Sequence, residues 1–190
     1  MTFWRKKSAD VQAEPSVRVL LVCMGNICRS PMAEGMLRQR VAERSFPVTV
    51  EIDSAGTHGY HDGARPDPRA QAAAERRGFD ISTLRARRVI AADFERFDLL
   101  VAMDDDNVSA LLEQAGEAHR HKIRLLMEFA ADEGCRNVPD PYYGGTLGFE
   151  RVLDLIEASM VGLLDELDRI AALRTTEGTS VADAGADPAP

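Results

Sequence analysis

The run Val17-Arg18-Val19-Leu20-Leu21-Val22 is apolar at five of six positions and rich in β-branched residues. That pattern predicts a strand covered on both faces, not one that alternates between core and water. Ala33, Met36, Leu37 and Val41 then recur at helical spacing. Between strand and helix lies a loop, and Ser30-Pro31 supplies a capping residue followed by a proline suited to the first helical position. Val48 to Asp53 alternates apolar and polar and predicts a second strand. Pro68 to Arg77 predicts a helix stopped by Gly78. A third strand is predicted over Phe97 to Met103, with a helix opening near Asp104 to Asp106. Ile123 to Met127 predicts a fourth strand. Phe149, Val152, Leu153, Ile156, Met160, Leu163, Leu167 and Ile170 mark a long amphipathic closing helix.

Strands that alternate with helices predict a single α/β domain, a central parallel sheet with helices on both faces. Ligands of such sheets bind beyond the carboxyl ends of the strands. The loop after Val22 lies at that edge. Composition divides the 190 residues into a polar segment 1–16, a folded body 17–173 and a tail 174–190. The tail, RTTEGTSVADAGADPAP, is too polar and small to bury the surface that ordering requires. There is no internal repeat.

Apolar residues make up 45%, enough for a real core. No apolar run reaches the ~18 residues of a membrane span. The basic residues near the start are followed by no apolar stretch of the kind a signal peptide carries, so a cytoplasmic address is the expectation. The formal charge of −8, from 23 basic and 31 acidic residues, argues against nucleic acid as a partner. It leaves room for an anionic substrate held by a local nest of N–H groups and one Arg. Cys23, Cys28 and Cys135 are too few for a disulfide framework. The histidines, His58, His61, His119 and His121, fall in two loose pairs without closed metal-ligand spacing, so no metal is expected. Asp104-Asp105-Asp106 looks like a carboxylate trio for Mg²⁺, but it opens a helix, where acidic residues offset the dipole.

Residues 23 to 30 read Cys-Met-Gly-Asn-Ile-Cys-Arg-Ser. A cysteine and an arginine six positions apart, between a strand and a helix, suit the holding of a phosphate-like dianion against sulfur. A loop wrapped around the dianion turns the N–H groups of Met24, Gly25, Asn26, Ile27 and Cys28 inward, and the helix N-terminus adds positive potential. Arg29 matches two phosphoryl oxygens with its planar fork. The same field favours the Cys23 thiolate. Gly25 is expected to supply an unusual backbone angle, and Asn26 tolerates a left-handed one. Ser30 can donate to the Cys23 sulfur. A plainer account exists: Cys is a common buried residue at a strand end, and Ser-Pro is a good helix start. The strand before, the helix after and the run Gly-Asn-Ile-Cys-Arg-Ser-Pro favour the chemical account over it.

VCMGNICRSPMAEGML resembles the phosphate-binding loop of the low-molecular-weight protein tyrosine phosphatases. Asp53-Ser54-Ala55-Gly56-Thr57, Pro66-Asp67-Pro68-Arg69 and Asp140-Pro141-Tyr142-Tyr143 resemble further segments of that family, and the likeness covers about residues 17 to 170. It implies a four-stranded parallel sheet, a cysteinyl-phosphate intermediate, no cofactor and no metal. It makes Asp140 the general acid that protonates the departing phenolate and then activates water. Without the resemblance, Asp140-Pro141 would read as an ordinary turn. Tyr142 and Tyr143 are expected to wall the substrate ring, with Tyr60 opposite. Ser54 is expected to support the loop through Asn26. Several relatives place a histidine where Thr83 stands, so the tether should differ here. Arg69 is assigned a structural role with Asp67. Spacing and resemblance together suggest that Cys28 pairs with Cys23 under oxidation. Cys135 has no evident partner.

The implied partner is a phosphotyrosine protein, with a tyrosine kinase among the candidates; a monomer is expected. Arsenate reductases share the Cys-x5-Arg loop but need further cysteines downstream, and Ser82 to Asn107 contains none. Protein arginine phosphatases carry Thr where Ile27 stands, which ranks phosphotyrosine first. A non-enzymatic phosphopeptide-binding module is the third alternative. It would be expected to lose Cys23 or Asp140, and both are present.

Overall fold

The computed structural model describes residues 16–131 and 134–182, of the last eight the backbone alone. β1 (Ser16–Cys23) has neighbours on both sides: it pairs in parallel with β2 (Thr49–Gly56) and with β3 (Leu99–Ala102). β3 in turn pairs with β4 (Ile123–Leu125), giving the all-parallel order β2-β1-β3-β4. Only Arg18 of β1 escapes full burial. The reason is the period-2 alternation of the strand between two covered faces. Val17, Val19 and Leu21 pack into a core with α1 (Arg29–Ala42), α2 (Pro68–Arg76) and α5 (Thr146–Ala182). Leu20 and Val22 face the other way, into a smaller core with Phe94 of α3 (Ala91–Arg96), Phe97 and Leu111 of α4 (Asp105–Gln114). Each such Leu or Phe contributes about 1.5–3 kcal/mol by leaving water. Truncating Leu20 or Leu21 to Ala would cost about 2–5 kcal/mol. The expected α/β domain, with helices on both sheet faces, is what is found.

The differences are local and have identifiable causes. β2 runs to Gly56, because its register with β1 continues through Leu21↔Ser54 and Cys23↔Gly56. β3 is shorter than expected; Phe97 and Met103 are core residues flanking the ladder. β4 ends at Leu125, where a 3₁₀ turn (Leu126–Phe129) begins. α2 opens as its sequence suggests, with Asp67 accepting from Arg69 N at 2.8 Å and Pro68 first in the helix. It closes before Gly78, which takes φ +85°. α3 was not foreseen: six residues are too few for a helical period to show. Ile90 N donates to Asp93 Oδ2 at 2.9 Å and fixes its start.

α1 begins at Arg29, with Cys28 as its cap residue, so Ser30 lies inside the first turn and does not cap it. Met32 N donates to Cys28 O at 3.3 Å and closes the first turn, two residues ahead of a start at Pro31. α5 continues to Ala182, beyond the boundary at 173 that composition suggests. Arg174 donates to Ser16 O at 2.8 Å and pairs with Asp98, so it belongs to the folded body. A helix already nucleated by packing extends at one hydrogen bond per residue. The expectations for 1–15 and for 183–190 lie outside the described residues. Among those described, no helix is long and apolar enough to cross a membrane.

Candidate active site

The segment between β1 and α1 wraps the carboxyl end of the central strand. Its carbonyls are held from outside. Cys23 O accepts from Thr57 N at 2.9 Å and Met24 O from His58 N at 3.0 Å. Ile27 O accepts from Asp67 N at 2.8 Å, and Cys28 O from Met32 N. In a trans peptide the N–H points opposite to the carbonyl. The N–H groups of Met24, Gly25, Cys28 and Arg29 are therefore aimed away from these partners. β2 makes room for the wrap: a Cβ on Gly56 would lie 2.8 Å from both Met24 O and His58 O.

Asn26 holds the loop's shape. It is the one non-glycine residue with positive φ (55°) among the described residues. Its Nδ2 donates to Ser30 Oγ and to Ser54 Oγ, both at 2.9 Å, and its Oδ1 accepts from Arg87 N at 2.9 Å. The unusual angle expected at Gly25 thus falls on Asn26. At Gly25 the constraint is space, since a Cβ there would sit 3.1 Å from the His61 ring. Ser54 Oγ donates to Glu34 Oε2 at 2.5 Å. Glu34 is buried, and burial holds its carboxyl above the usual range against the pull of Ser54 and Arg38. The tether runs through Arg87 N and Glu34; Thr83 is not part of it. Its carbonyl instead accepts from Arg85 Nη1 at 3.0 Å.

Cys23 ends β1 with its sulfur 3.0 Å from Ser30 Oγ and 3.3 Å from Asn26 N. Ser30 Oγ already accepts from Asn26, which leaves its own proton for the sulfur or for Ala55 O at 3.4 Å. The shorter path leads to the sulfur. Cys28 is also buried, and its thiol is pushed up to about 12, by burial first and then by Asp67, Cys23 and Asp140. Cys23, Cys28 and Cys135 are free thiols.

Arg29 is 2% exposed. Its Nη1 donates to Asp104 and to Val138 O (3.0 Å), and its Nη2 to Asp140 Oδ2 at 3.1 Å. Burial pulls the guanidinium down, but the Cys23 sulfur, Asp104 and Asp140 together hold it above its ordinary value. In the sequence Asp104 stands out only as part of a helix-opening acidic run. It does cap α4, accepting from Asn107 N at 2.7 Å, yet it also orients Arg29 from 75 positions away. Asp105 turns elsewhere, to Arg136, which holds its carboxyl below the usual range. The run is not a metal trio, and no group of three or more candidate metal ligands occurs among the described residues.

Above the loop opens a cleft of about 330 Å³. Cys23, Met24, Gly25, Ile27 and Cys28 form its floor; Tyr60, His61, Asp140, Tyr142 and Tyr143 form its walls. Tyr142 and Tyr143 meet edge to face at 5.1 Å, and Tyr60 stacks on His58 at 5.4 Å. Asp140 Oδ1 also accepts from Tyr142 N at 3.0 Å. The sequence weighs His61 only as a metal ligand and gives it no place in the cleft, which it lines. Its position beside Tyr60 was the one available signal.

Residues 18–173 match the family described as low molecular weight phosphotyrosine protein phosphatase. The low molecular weight protein-tyrosine-phosphatase of Streptomyces coelicolor is 45% identical over 150 residues, which is 77% of this chain and 91% of that protein. The structure of YfkJ from Bacillus subtilis superposes with a TM-score of 0.76 at 37% identity, covering 82% of this chain and 96% of the other. A Drosophila arginine phosphatase superposes at 0.73 and 32% identity, covering 78% and 96%. The fold, the loop at the mouth of the sheet and a match across most of its length make this chain a member of the low molecular weight phosphotyrosine protein phosphatase family.

Proposed function

We propose that this member of a family of phosphoric monoester hydrolases hydrolyses phosphotyrosine through a cysteinyl-phosphate intermediate. The observation that carries the reading is that Cys23 and Asp140 line one cleft and that Asp140 accepts from the buried guanidinium of Arg29, 111 positions away in sequence. The phosphoryl group enters the loop, where its oxygens meet the inward-aimed N–H groups and the fork of Arg29. To bind it, Arg29 Nη2 exchanges Asp140 for a phosphoryl oxygen. Asp104 and Val138 O keep the rest of the guanidinium in place. Once released from Arg29, Asp140 takes up, by way of water, the proton that the Cys23 thiol gives up. The Cys23 thiolate then attacks phosphorus as the bond to the ester oxygen breaks, and Asp140 passes its proton to that oxygen. The released tyrosine leaves phosphate on sulfur. Asp140, now ionised, takes a proton from the water that attacks phosphorus, and the Cys23 thiolate leaves with the hydrogen bond of Ser30. No cofactor enters these steps.

Ile27 lines the cleft floor and offers an apolar surface that suits a phenyl ring better than a phosphoguanidinium group. The likeness to an arginine phosphatase is one of scaffold, so specificity rests on such lining residues. Initial rates on matched phosphotyrosine and phosphoarginine peptides test the assignment. Phosphotyrosine is expected to turn over faster, and faster phosphoarginine turnover overturns it. The physiological partner is a phosphotyrosine protein in the cytoplasm, a tyrosine kinase among the candidates, met by a monomeric enzyme. Capture from native cells on Cys23→Ser or Asp140→Ala names it.

A further inference from the structure

The loop that grips phosphate and the loop that carries the acid are joined by an ion pair to which the steps above give no part. Asp67 donates its N–H to Ile27 O on the phosphate loop at 2.8 Å. Its carboxylate holds Arg69 as a fork, Oδ1 accepting from Nε at 2.9 Å and Oδ2 from Nη2 at 2.7 Å. The remaining arm of Arg69, Nη1, donates to Tyr142 O at 3.0 Å, with Gly144 O at 3.5 Å. The guanidinium lies 5.5 Å from the Tyr142 ring centroid and 5.0 Å from that of Phe149, at the start of α5. The opposite side of the same residue faces the acid: Tyr142 N donates to Asp140 Oδ1. Two hydrogen bonds therefore separate Arg69 from the carboxylate of Asp140. Each end of the ion pair holds the other in its charged form: the Asp67 carboxyl lies below its usual range and the Arg69 guanidinium above its own.

The acid has two ties, one to Arg29 and one to the Tyr142 peptide. Phosphate binding takes Arg29 away. What then aims Asp140 is the Tyr142 peptide, in a loop whose next residues are the exposed Tyr143 and the pair Gly144-Gly145. We propose that Arg69, locked by Asp67, is a positioning residue that keeps Asp140 directed at the leaving oxygen once substrate has claimed Arg29. This rests on the phosphatase reading above. A lysine would keep the charge but cannot hold the Asp67 carboxylate and the Tyr142 carbonyl at once.

The test compares kcat/KM of the full-length protein on a phosphotyrosine peptide and on an aryl phosphate whose phenol is acidic enough to leave unprotonated. Wild type, Arg69→Met, Asp140→Asn and the double variant are measured. Misaiming an acid by about 1 Å costs on the order of 10²-fold. Arg69→Met is therefore expected to lose roughly 10- to 100-fold on phosphotyrosine and about tenfold less on the activated ester. In the Asp140→Asn background the same change is expected to add no more than about threefold, because the group it aims is gone. Equal losses on both substrates, or a full additional loss without Asp140, overturn the proposal. Should Arg69→Met not fold, Arg69→Lys decides: a wild-type ratio between the two substrates overturns it, and a selective loss upholds it. A wild-type protein inactive on phosphotyrosine would instead overturn the phosphatase reading, a distinct outcome.

Discussion

Arg29 Nη2 and Asp140 Oδ2 lie 3.1 Å apart, so the guanidinium proposed to bind phosphate rests on the carboxylate proposed to supply the proton. The contact gives Asp140→Asn two effects of opposite sign. Hydrolysis of phosphotyrosine falls by ~10²–10⁴-fold, the range of a general acid. Binding of inorganic phosphate tightens, because a competing anion has been removed from Arg29. Competitive inhibition constants for phosphate measure the second effect; weaker inhibition of the variant contradicts this account.

Cys23→Ser separates binding from chemistry. The variant retains the loop, Arg29 and Asp140, so phosphotyrosine peptides still bind while turnover is lost. Calorimetry on the variant beside a rate assay reads both quantities, and turnover at the wild-type rate rules out the covalent step.

Cys28 makes a statement about pH. Its thiol is pushed up to about 12 in the fold from an ordinary value of 9.0, burial being the main cause. Below about pH 9 the folded and unfolded chains both hold this proton. As pH rises further the unfolded chain releases it first, so stability declines progressively toward about pH 12. Denaturation midpoints of wild type and Cys28→Ala, compared from pH 8 to 11, are expected to diverge, with wild type showing the steeper decline. Parallel profiles count against the burial argument. In the same range native Cys28 stays resistant to alkylation. Peroxide treatment followed by peptide mapping tests whether the same thiol bridges to Cys23.

Gly162 marks where α5 presses on the chain below it. A Cβ there would lie 2.2 Å from Phe129 O, a backbone atom that cannot swing aside. Gly162→Ala is expected to cost about 1–3 kcal/mol, as overpacking does. Neither Gly162 nor Phe129 lines the cleft, so kcat should hold in the folded fraction. Urea unfolding measures the loss, and an unchanged midpoint shows that the helix can shift at little cost.

The sheet was legible because Val17 to Val22 leaves little doubt that both its faces are covered, and α5 because its apolar stripe is long. Asp140 and the loop tyrosines were legible only through resemblance, since nothing local distinguishes Asp140-Pro141 from a turn. The pairing of Arg29 with Asp104 was hidden for a different reason. The two residues meet because β1 and β3 are adjacent in parallel, and both follow carboxyl ends of those strands. Local pattern gives strands but not which loops become neighbours. α3 was too brief for its period to register, and the continuation of α5 depends on packing that composition does not encode. At Gly25 the residue type drew attention to the right position with the wrong reason, and at Ser30 the expected cap is absent while the expected contact with sulfur is present. Space governs the first, and the hydroxyl's contact with sulfur governs the second.

Asn26 has its amide, its side-chain oxygen and its own N–H all committed before any substrate arrives. The cradle is thus a finished mould. The entropy of shaping it is spent once, when the chain folds, and is not charged again at each encounter with an ester. On the proposed function, a phosphate group entering this mouth meets a loop whose shape is already set.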